Sequence, residues 1–181
     1  MRVVIADDEL LLRHGLRWVL ERGGWQIVAE VGDAPTLVDT ARAHAPDLVI
    51  TDIRMPPTMR DDGLAAALRI RHEQPGVSVL VLSQHVQREY AQELLAAGTS
   101  QTRGGVGYLL KQRIGDVETF LTALERVVKG STVLDPEVVA VMASRARRGG
   151  RGSVLTPRQH EVMELVALGY SNARIAHELT L

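Results

Sequence analysis

The sequence predicts a doubly wound α/β fold built on a five-stranded parallel sheet. Short apolar runs alternate along the chain with segments whose apolar residues recur three or four positions apart, the spacing of amphipathic helices. The runs are apolar throughout rather than alternating with polar residues, which is typical of strands covered by helices on both faces. Aromatic residues make up only 3% of the 181 residues, so the core is predicted to consist of Val, Leu, Ile and Ala.

Each strand is predicted from an apolar run, and each helix from its spacing or its capping residue. Leu12, Leu16 and Val19 share one helical face after the first run. Asp33 follows the second run and is predicted to cap a helix, because its carboxylate can accept hydrogen bonds from the free N–H groups of a first turn. The predicted strands are residues 3–6, 25–31, 47–51, 78–82 and 106–110. The later helices are predicted over residues 63–73, 89–97 and 116–128.

A linker is predicted after this first domain. Asp135 is a capping acid followed by Pro136, the residue that favours the first helical position, and the helix is predicted to run to about residue 145. Residues 147–153 are rich in Arg and Gly, which predicts a flexible basic segment. The predicted domains are residues 1–130, a linker over residues 131–152, and a partial all-α unit over residues 153–181.

The partial all-α unit is predicted from its helix boundaries. A capping box begins at Thr156, because a Gln follows three residues later at position 159. Gly169 is predicted to end this helix, and Ser171 is predicted to cap the next one.

Bulk composition excludes several classes of protein. The net charge of −1 gives the whole chain no electrostatic attraction to nucleic acid or membrane. There is no cysteine, so disulfides and cysteine-ligated metal sites are excluded. The first residues already have a strand pattern, which leaves no room for a signal peptide, and no apolar run approaches the length needed to span a bilayer. We therefore expect a soluble, cytoplasmic protein with no membrane partner.

Polar residues follow four of the predicted strands. Asp7 and Asp8 end the first strand, Asp52 ends the third, Ser83 ends the fourth, and Lys111 follows the fifth. If the strand order is 2-1-3-4-5, the first and third strands are neighbours and the three carboxylates converge at the carboxyl edge of the sheet. Such a cluster needs a cation, and an all-oxygen ligand set favours Mg²⁺.

An ammonium and a hydroxyl beside such a cation indicate phosphoryl chemistry. Lys111 and Ser83 can hold phosphoryl oxygens, which leaves Asp52 as the in-line nucleophile and an aspartyl phosphate as the product. Simpler interpretations stay open at each position: Asp8, Glu9 or Ser83 can cap helices, and Lys111 can be a solvated loop lysine.

Four short motifs carry a family resemblance. They are residues 7–9 (Asp-Asp-Glu), 51–56 (Thr-Asp-Ile-Arg-Met-Pro), 81–83 (Val-Leu-Ser) and 107–111 (Gly-Tyr-Leu-Leu-Lys). Together they resemble the receiver domain of two-component response regulators, over about residues 1–130. Residues 155–162 and 169–176 resemble the opening of a LuxR-type helix-turn-helix. Both resemblances together indicate the NarL/FixJ subfamily.

The resemblance implies specific roles for the site residues. Asp52 would accept a phosphoryl group from a phosphohistidine on a sensor histidine kinase. Mg²⁺ would be bound by Asp8, Asp52 and the backbone carbonyl of Arg54, with Asp7 acting through a bound water. Lys111 would pair with the phosphoryl group.

The same resemblance implies a switch. Ser83 would hydrogen-bond the phosphoryl group, and Tyr108 matches the aromatic residue that changes rotamer when that hydroxyl moves. The simpler interpretation of Tyr108 is a half-buried tyrosine at a strand end. Two further positions, Arg54 and His85, are predicted to set the lifetime of the phosphoryl group, because side chains there can position or block a hydrolytic water. The alternative is that both are exposed residues at the rim of the site with no such role.

The loop after the nucleophile departs from the family pattern. Gly63 comes seven residues after Pro56, where the family pattern has glycine at four, so the loop is longer and carries two extra acids. Asp61 and Asp62 are predicted to cap the third helix, with a position over the metal as the alternative.

The function implied is signalling rather than turnover, so we do not expect an enzyme. Phosphorylation would drive homodimer formation and promoter binding. The resemblance stops before the recognition helix that reads the major groove, so we expect little specific DNA binding from these 181 residues. One alternative is a Mg²⁺-dependent phosphohydrolase, although Arg54 stands where such enzymes place a second acid. Another is a receiver-like binding module that works without phosphorylation.

Overall fold

The computed structural model describes residues 1–98, 104–146, 161, 162, 165, 170 and 172–178. Its strands are β1 (Arg2–Ala6), β2 (Gln26–Val31), β3 (Leu48–Asp52), β4 (Ser78–Ser83), β5 (Val106–Leu110) and β6 (Thr132–Leu134). Its helices are α1 (Leu10–Arg22), α2 (Ala34–His44), α3 (Asp62–Glu73), α4 (Arg88–Gly98), α5 (Val117–Val128), α6 (Pro136–Ala146) and α7 (Asn172–Glu178). A 3-10 helix (Lys111–Gly115) joins β5 to α5.

The strands form one parallel sheet in the order β2-β1-β3-β4-β5-β6. The order predicted for the first five strands is therefore confirmed. Neighbouring β1 and β3 are in register, with Ile5 opposite Ile50 and Ala6 opposite Thr51, so both strands end at the same level. This register brings the residues that follow β1 beside the end of β3.

Helices cover the sheet on both faces, which is why its central strands are apolar throughout. On one face, Leu16 of α1 and Phe120 of α5 pack into one buried cluster. On the other face, Leu37 of α2, Leu64 of α3 and Leu94 of α4 belong to a second cluster. The predicted cap at Asp33 is confirmed, because its carboxylate accepts from the Thr36 N–H at 2.8 Å. Asp116, which was not predicted as a cap, accepts in the same way from the Thr119 N–H at 3.2 Å.

The prediction of five strands is wrong by one. β6 pairs with β5, with Val133 opposite Gly107, so the sheet continues into the segment that was predicted as a linker. Three residues are too few to display a strand pattern in the sequence. The predicted helix after Pro136 is confirmed as α6, and its Val138 and Met142 are buried in the same cluster as Leu94 of α4.

Hydrogen bonds of Asp135 connect the start of α6 to the end of β5. Its carboxylate is fully buried and accepts from Arg113 Nε at 2.9 Å, from the Glu137 N–H at 3.0 Å and from the Leu110 N–H at 3.3 Å. Its own N–H donates to the Tyr108 carbonyl at 2.8 Å. Burial raises the pKa of the Asp135 carboxyl, but these hydrogen bonds and the Arg113 charge outweigh it and leave the pKa below its usual value.

The predicted capping box at Thr156, the stop at Gly169 and the cap at Ser171 lie outside the described residues. The predicted basic segment over residues 147–153 also lies outside them. Among the residues that the structure describes, no helix is both long enough and apolar enough to cross a membrane.

Candidate functional site

Three aspartates meet at the carboxyl edge of the sheet, as predicted. Asp7 follows β1 directly and Asp52 is the last residue of β3. One carboxylate oxygen each from Asp7, Asp8 and Asp52 lies within 4.8 Å of the others. Asp7 is completely buried and Asp52 is 6% exposed, whereas Asp8 is exposed. The cluster therefore has a buried floor and one ligand at its open side.

Burial dominates the electrostatics of the two inner carboxylates. Desolvation raises the pKa of Asp7 and of Asp52 above their usual values, and the charge of Asp52 raises that of Asp7 further. Lys111 and nearby backbone N–H groups pull both pKa values down, but by less. The ionised carboxylates thus lack enough positive charge around them.

Lys111 lies at the centre of the carboxylates. Its Nζ is 3.0 Å from Asp7 Oδ2, 3.0 Å from Asp52 Oδ2 and 3.1 Å from Glu9 Oε1. Burial lowers the pKa of this lysine, but its ion pairs raise it by more, so the ammonium stays charged. With its side chain only 11% exposed, Lys111 is not the solvated loop lysine of the alternative interpretation.

Ser83 and Tyr108 are connected through one carbonyl. Ser83 Oγ donates to the His85 carbonyl at 2.7 Å, and Tyr108 Oη donates to the same carbonyl at 3.2 Å. The Gln87 N–H donates to Tyr108 Oη at 3.3 Å. Ser83 does not cap α4, because that helix begins at Arg88. Tyr108 is fully buried, so the interpretation of a half-buried tyrosine is wrong.

The prediction that Asp61 and Asp62 cap α3 is only partly right. Asp61 occupies the N-cap position of α3, but its side chain makes no capping hydrogen bond. Asp62 accepts instead from the Thr58 hydroxyl at 2.5 Å and from the Arg60 N–H at 3.3 Å, which ties the loop to itself. Neither acid belongs to the Asp7–Asp8–Asp52 cluster.

Two residues that matter at the site were not predicted as members of it. Glu9 belongs to the Asp-Asp-Glu motif, but the only individual role predicted for it is a cap of α1. It occupies the N-cap position, makes no side-chain capping bond, and contacts Lys111. Gly63 was noted for its spacing alone, yet a Cβ there would lie 1.8 Å from the Asp52 carbonyl oxygen. The unusual spacing of Gly63 was the sequence signal for this contact, since a glycine at the start of a helix can allow another backbone segment to approach closely.

An open cavity exposes the site to solvent. The residues that line it are Asp8, Glu9, Asp52, Arg54, Met59, Ser83, Gln84 and His85. The cavity thus brings the predicted nucleophile together with both predicted lifetime residues, Arg54 and His85. It also leaves room for a small anionic group in front of Asp52.

The cluster fits a magnesium ion. Asp7 Oδ2 is buried and makes its ion pair with Lys111 without hydrogen-bond geometry, so a carboxylate oxygen is left with no hydrogen bond. Carboxylate oxygens without His or Cys are the ligand type that Mg²⁺ prefers. The raised pKa values of Asp7 and Asp52 are the expected sign of a site that is completed by added positive charge.

A parallel sheet with the core order 2-1-3-4-5, carrying an acidic cluster, a lysine and a serine at its carboxyl edge, is the arrangement expected of a receiver domain. Comparison with known families agrees: residues 3–113 match the response regulator receiver domain, and residues 153–181 match the luxR family of bacterial regulatory proteins. The chain belongs to the two-component response regulators of the NarL/FixJ type, which control transcription.

Individual relatives extend over nearly the whole chain. The transcriptional regulatory protein MctR of Rhizobium johnstonii is 33% identical over 183 residues, covering 99% of this chain and 78% of MctR. The oxygen regulatory protein NreC of Staphylococcus carnosus is 28% identical over 189 residues, covering 99% of this chain and 82% of NreC. Among solved structures, the RcsB response regulator of Salmonella typhimurium has a TM-score of 0.65 and 28% identity, covering 99% of this chain and 84% of RcsB.

Proposed function

We propose that Asp52 accepts a phosphoryl group from a phosphohistidine on a sensor histidine kinase. The observation that carries this proposal is the position of the Asp52 carboxylate: it lies at the floor of an open cavity, 3.0 Å from the Lys111 ammonium and beside two further aspartates. A carboxylate oxygen of Asp52 attacks phosphorus, and the bond from phosphorus to the imidazole nitrogen breaks.

Each neighbouring residue has a role in that step. Asp8, Asp52 and the backbone carbonyl of Arg54 would hold Mg²⁺ directly, with Asp7 acting through a water. Mg²⁺ supplies charge neutralisation for the phosphoryl oxygens when bound. Lys111 would pair with a phosphoryl oxygen.

Ser83 then couples the phosphoryl group to the rest of the domain. If its hydroxyl turns toward a phosphoryl oxygen, the bond to the His85 carbonyl is lost, and the same carbonyl is the acceptor for Tyr108. Phosphorylation therefore shifts the population toward a form with an altered β4–α4 loop and Tyr108 position.

The output of this switch is homodimer formation and control of promoter DNA. Solved structures of RcsB that are 26% identical to this chain include a complex with DNA and two dimers bound to two parallel DNAs. The proposed domain division is a receiver over residues 1–130, a linker over residues 131–152 and the start of a helix-turn-helix over residues 153–181. Signalling rather than turnover is the role we propose, since Arg54 occupies the position of the second acid that a phosphohydrolase needs.

Incubation with acetyl phosphate tests the proposal. Wild type with acetyl phosphate and Mg²⁺ will gain the mass of one phosphoryl group, and peptide mapping will place it on the peptide that contains Asp52. Chelation of Mg²⁺ will prevent the gain, because the inner carboxylates then repel the incoming anion. An unmodified protein under the complete conditions contradicts the proposal, and continuous release of phosphate with turnover indicates a phosphohydrolase instead.

Arg54 and His85 will govern how long the phosphoryl group survives. Both are exposed and line the cavity, where they restrict the approach of water to the phosphorus atom. In Arg54→Ala and His85→Ala, we expect the aspartyl-phosphate half-life to shorten by about threefold, which corresponds to less than about 1 kcal/mol in the barrier. Arg60→Ala, in the same loop but outside the cavity lining, is the control, and half-lives equal to this control remove the assignment.

A further inference from the structure

We propose that Glu9 is a positioning residue of the phosphoryl site: it holds Lys111 in the unphosphorylated protein and competes with the phosphoryl group for that lysine. This inference rests on the proposed function, because it concerns the same site.

The contacts of Glu9 point into the site. Glu9 Oε1 is 3.1 Å from Lys111 Nζ with hydrogen-bond geometry, and Gln84 Nε2 is 3.4 Å from the same oxygen. Glu9 stands at the N-cap of α1 but makes no side-chain bond to that helix. Its carboxylate thus spans the cavity mouth, from the β1–α1 loop to the β4–α4 loop and the lysine.

The crowding of carboxylates around Lys111 makes this contact competitive. The ammonium already has carboxylate oxygens of Asp7, Glu9 and Asp52 within 3.1 Å, and its contact with Glu9 has hydrogen-bond geometry. A phosphoryl oxygen that pairs with Lys111 must therefore displace one of them.

Glu9 is the carboxylate that can leave at the lowest cost. The side chain of Asp7 is completely buried and that of Asp52 is 9% exposed, whereas the side chain of Glu9 is 54% exposed. A released Glu9 is hydrated at once, while a released Asp7 would be a buried charge without its cation. Until it is released, Glu9 also adds a negative charge at the point where a doubly charged group must bind.

Glu9→Gln tests the inference, because it removes the charge and keeps the size of the side chain. We expect this variant to bind beryllofluoride, in the presence of Mg²⁺, about threefold to fivefold more tightly than wild type, the range that a partly exposed ion pair supports. The gain will shrink as salt screens the charges. Isothermal titration calorimetry at low and high ionic strength measures both effects.

Two further variants and one titration distinguish this role of Glu9 from a general effect of removing a negative charge. Glu9→Asp keeps the charge on a shorter stem, so its affinity for beryllofluoride will fall between wild type and Glu9→Gln. Glu93→Gln makes the same charge change on the exposed surface of α4 and will bind like wild type. A titration with Mg²⁺ alone will show no tighter binding in Glu9→Gln, since Glu9 does not belong to the aspartate cluster.

The outcomes are distinct. Beryllofluoride binding in Glu9→Gln that is equal to or weaker than wild type overturns the role of Glu9 and leaves the proposed function intact. The role of Glu9 is also overturned if tighter binding of Mg²⁺ alone accounts for the whole gain in beryllofluoride affinity. No binding of beryllofluoride and no phosphorylation by acetyl phosphate in any variant overturns the proposed function and this inference together.

Discussion

Asp52→Asn will accept no phosphoryl group, and it will nevertheless be more stable than wild type in buffer without Mg²⁺. The loss of phosphorylation is complete because a side-chain amide is not a nucleophile for phosphoryl transfer. The amide keeps the size of the side chain and its carbonyl oxygen can keep accepting from the backbone N–H groups of Ile53 and Arg54, which now support the carboxylate.

The gain in stability follows from the sign of the pKa shift. Burial raises the pKa of Asp52 above its unfolded value, so at neutral pH the ionised carboxylate costs stability. This cost is present above the folded pKa and disappears as the pH falls through the folded pKa to the unfolded one. The advantage of Asp52→Asn over wild type will therefore narrow in acid.

Magnesium will reverse the order of the two proteins. A ligand at one hundred times its Kd stabilises the folded state by about 2.7 kcal/mol, and Asp52→Asn will lose most of this gain with one of its carboxylate ligands. Thermal unfolding with and without Mg²⁺, together with intact mass after acetyl phosphate, measures all three effects. Asp61→Asn is the matched control, because that acid lies outside the cluster, and it will be phosphorylated like wild type. A phosphorylated Asp52→Asn would assign the acceptor to another residue.

The core of the site could be predicted because a parallel sheet fixes where strand ends meet. Once β1 and β3 are neighbours in register, residues after one and at the end of the other must converge, whatever the surrounding loops do. The convergence of Asp7, Asp8 and Asp52 therefore followed from strand order, whereas the contact of Lys111 with them did not, since a solvated loop lysine was an open alternative. The sixth strand did not, because β6 is a strand only through its pairing with β5.

Contacts that depend on side-chain direction could not be predicted in the same way. Glu9 can cap α1 or turn toward Lys111, and only the position of that lysine decides between the two. Tyr108 has the same sequence signature whether its ring is buried or half exposed. Its burial depends on the packing of α4 and α6 against β5, which brings distant parts of the chain together.

Gly63→Ala will be the most destabilising of the substitutions considered. A Cβ at this position would lie 1.8 Å from the Asp52 carbonyl oxygen and 3.0 Å from Thr51 Oγ1. The first of these atoms belongs to the backbone of a central strand, so it cannot rotate away as the end of a side chain can. The start of α3 is also held in place, because the Gly63 N–H donates to the Ile53 carbonyl at 2.9 Å.

We expect the free energy of unfolding to fall by about 3 kcal/mol, the upper end of the usual cost of overpacking. Phosphorylation by acetyl phosphate will slow as well, since α3 can move away only by disturbing the backbone that carries the nucleophile. Urea denaturation and the rate of mass gain measure the two effects.

Gly15→Ala is a matched control in the middle of α1, where an added Cβ would meet no atom within 4 Å. That substitution will raise stability by about 0.5–1 kcal/mol, because alanine restricts the unfolded chain and favours a helix. The same added methyl group is thus expected to lower the free energy of unfolding at Gly63 and to raise it at Gly15. If Gly63→Ala lowers it by less than about 1 kcal/mol, α3 is free to shift away from the end of β3.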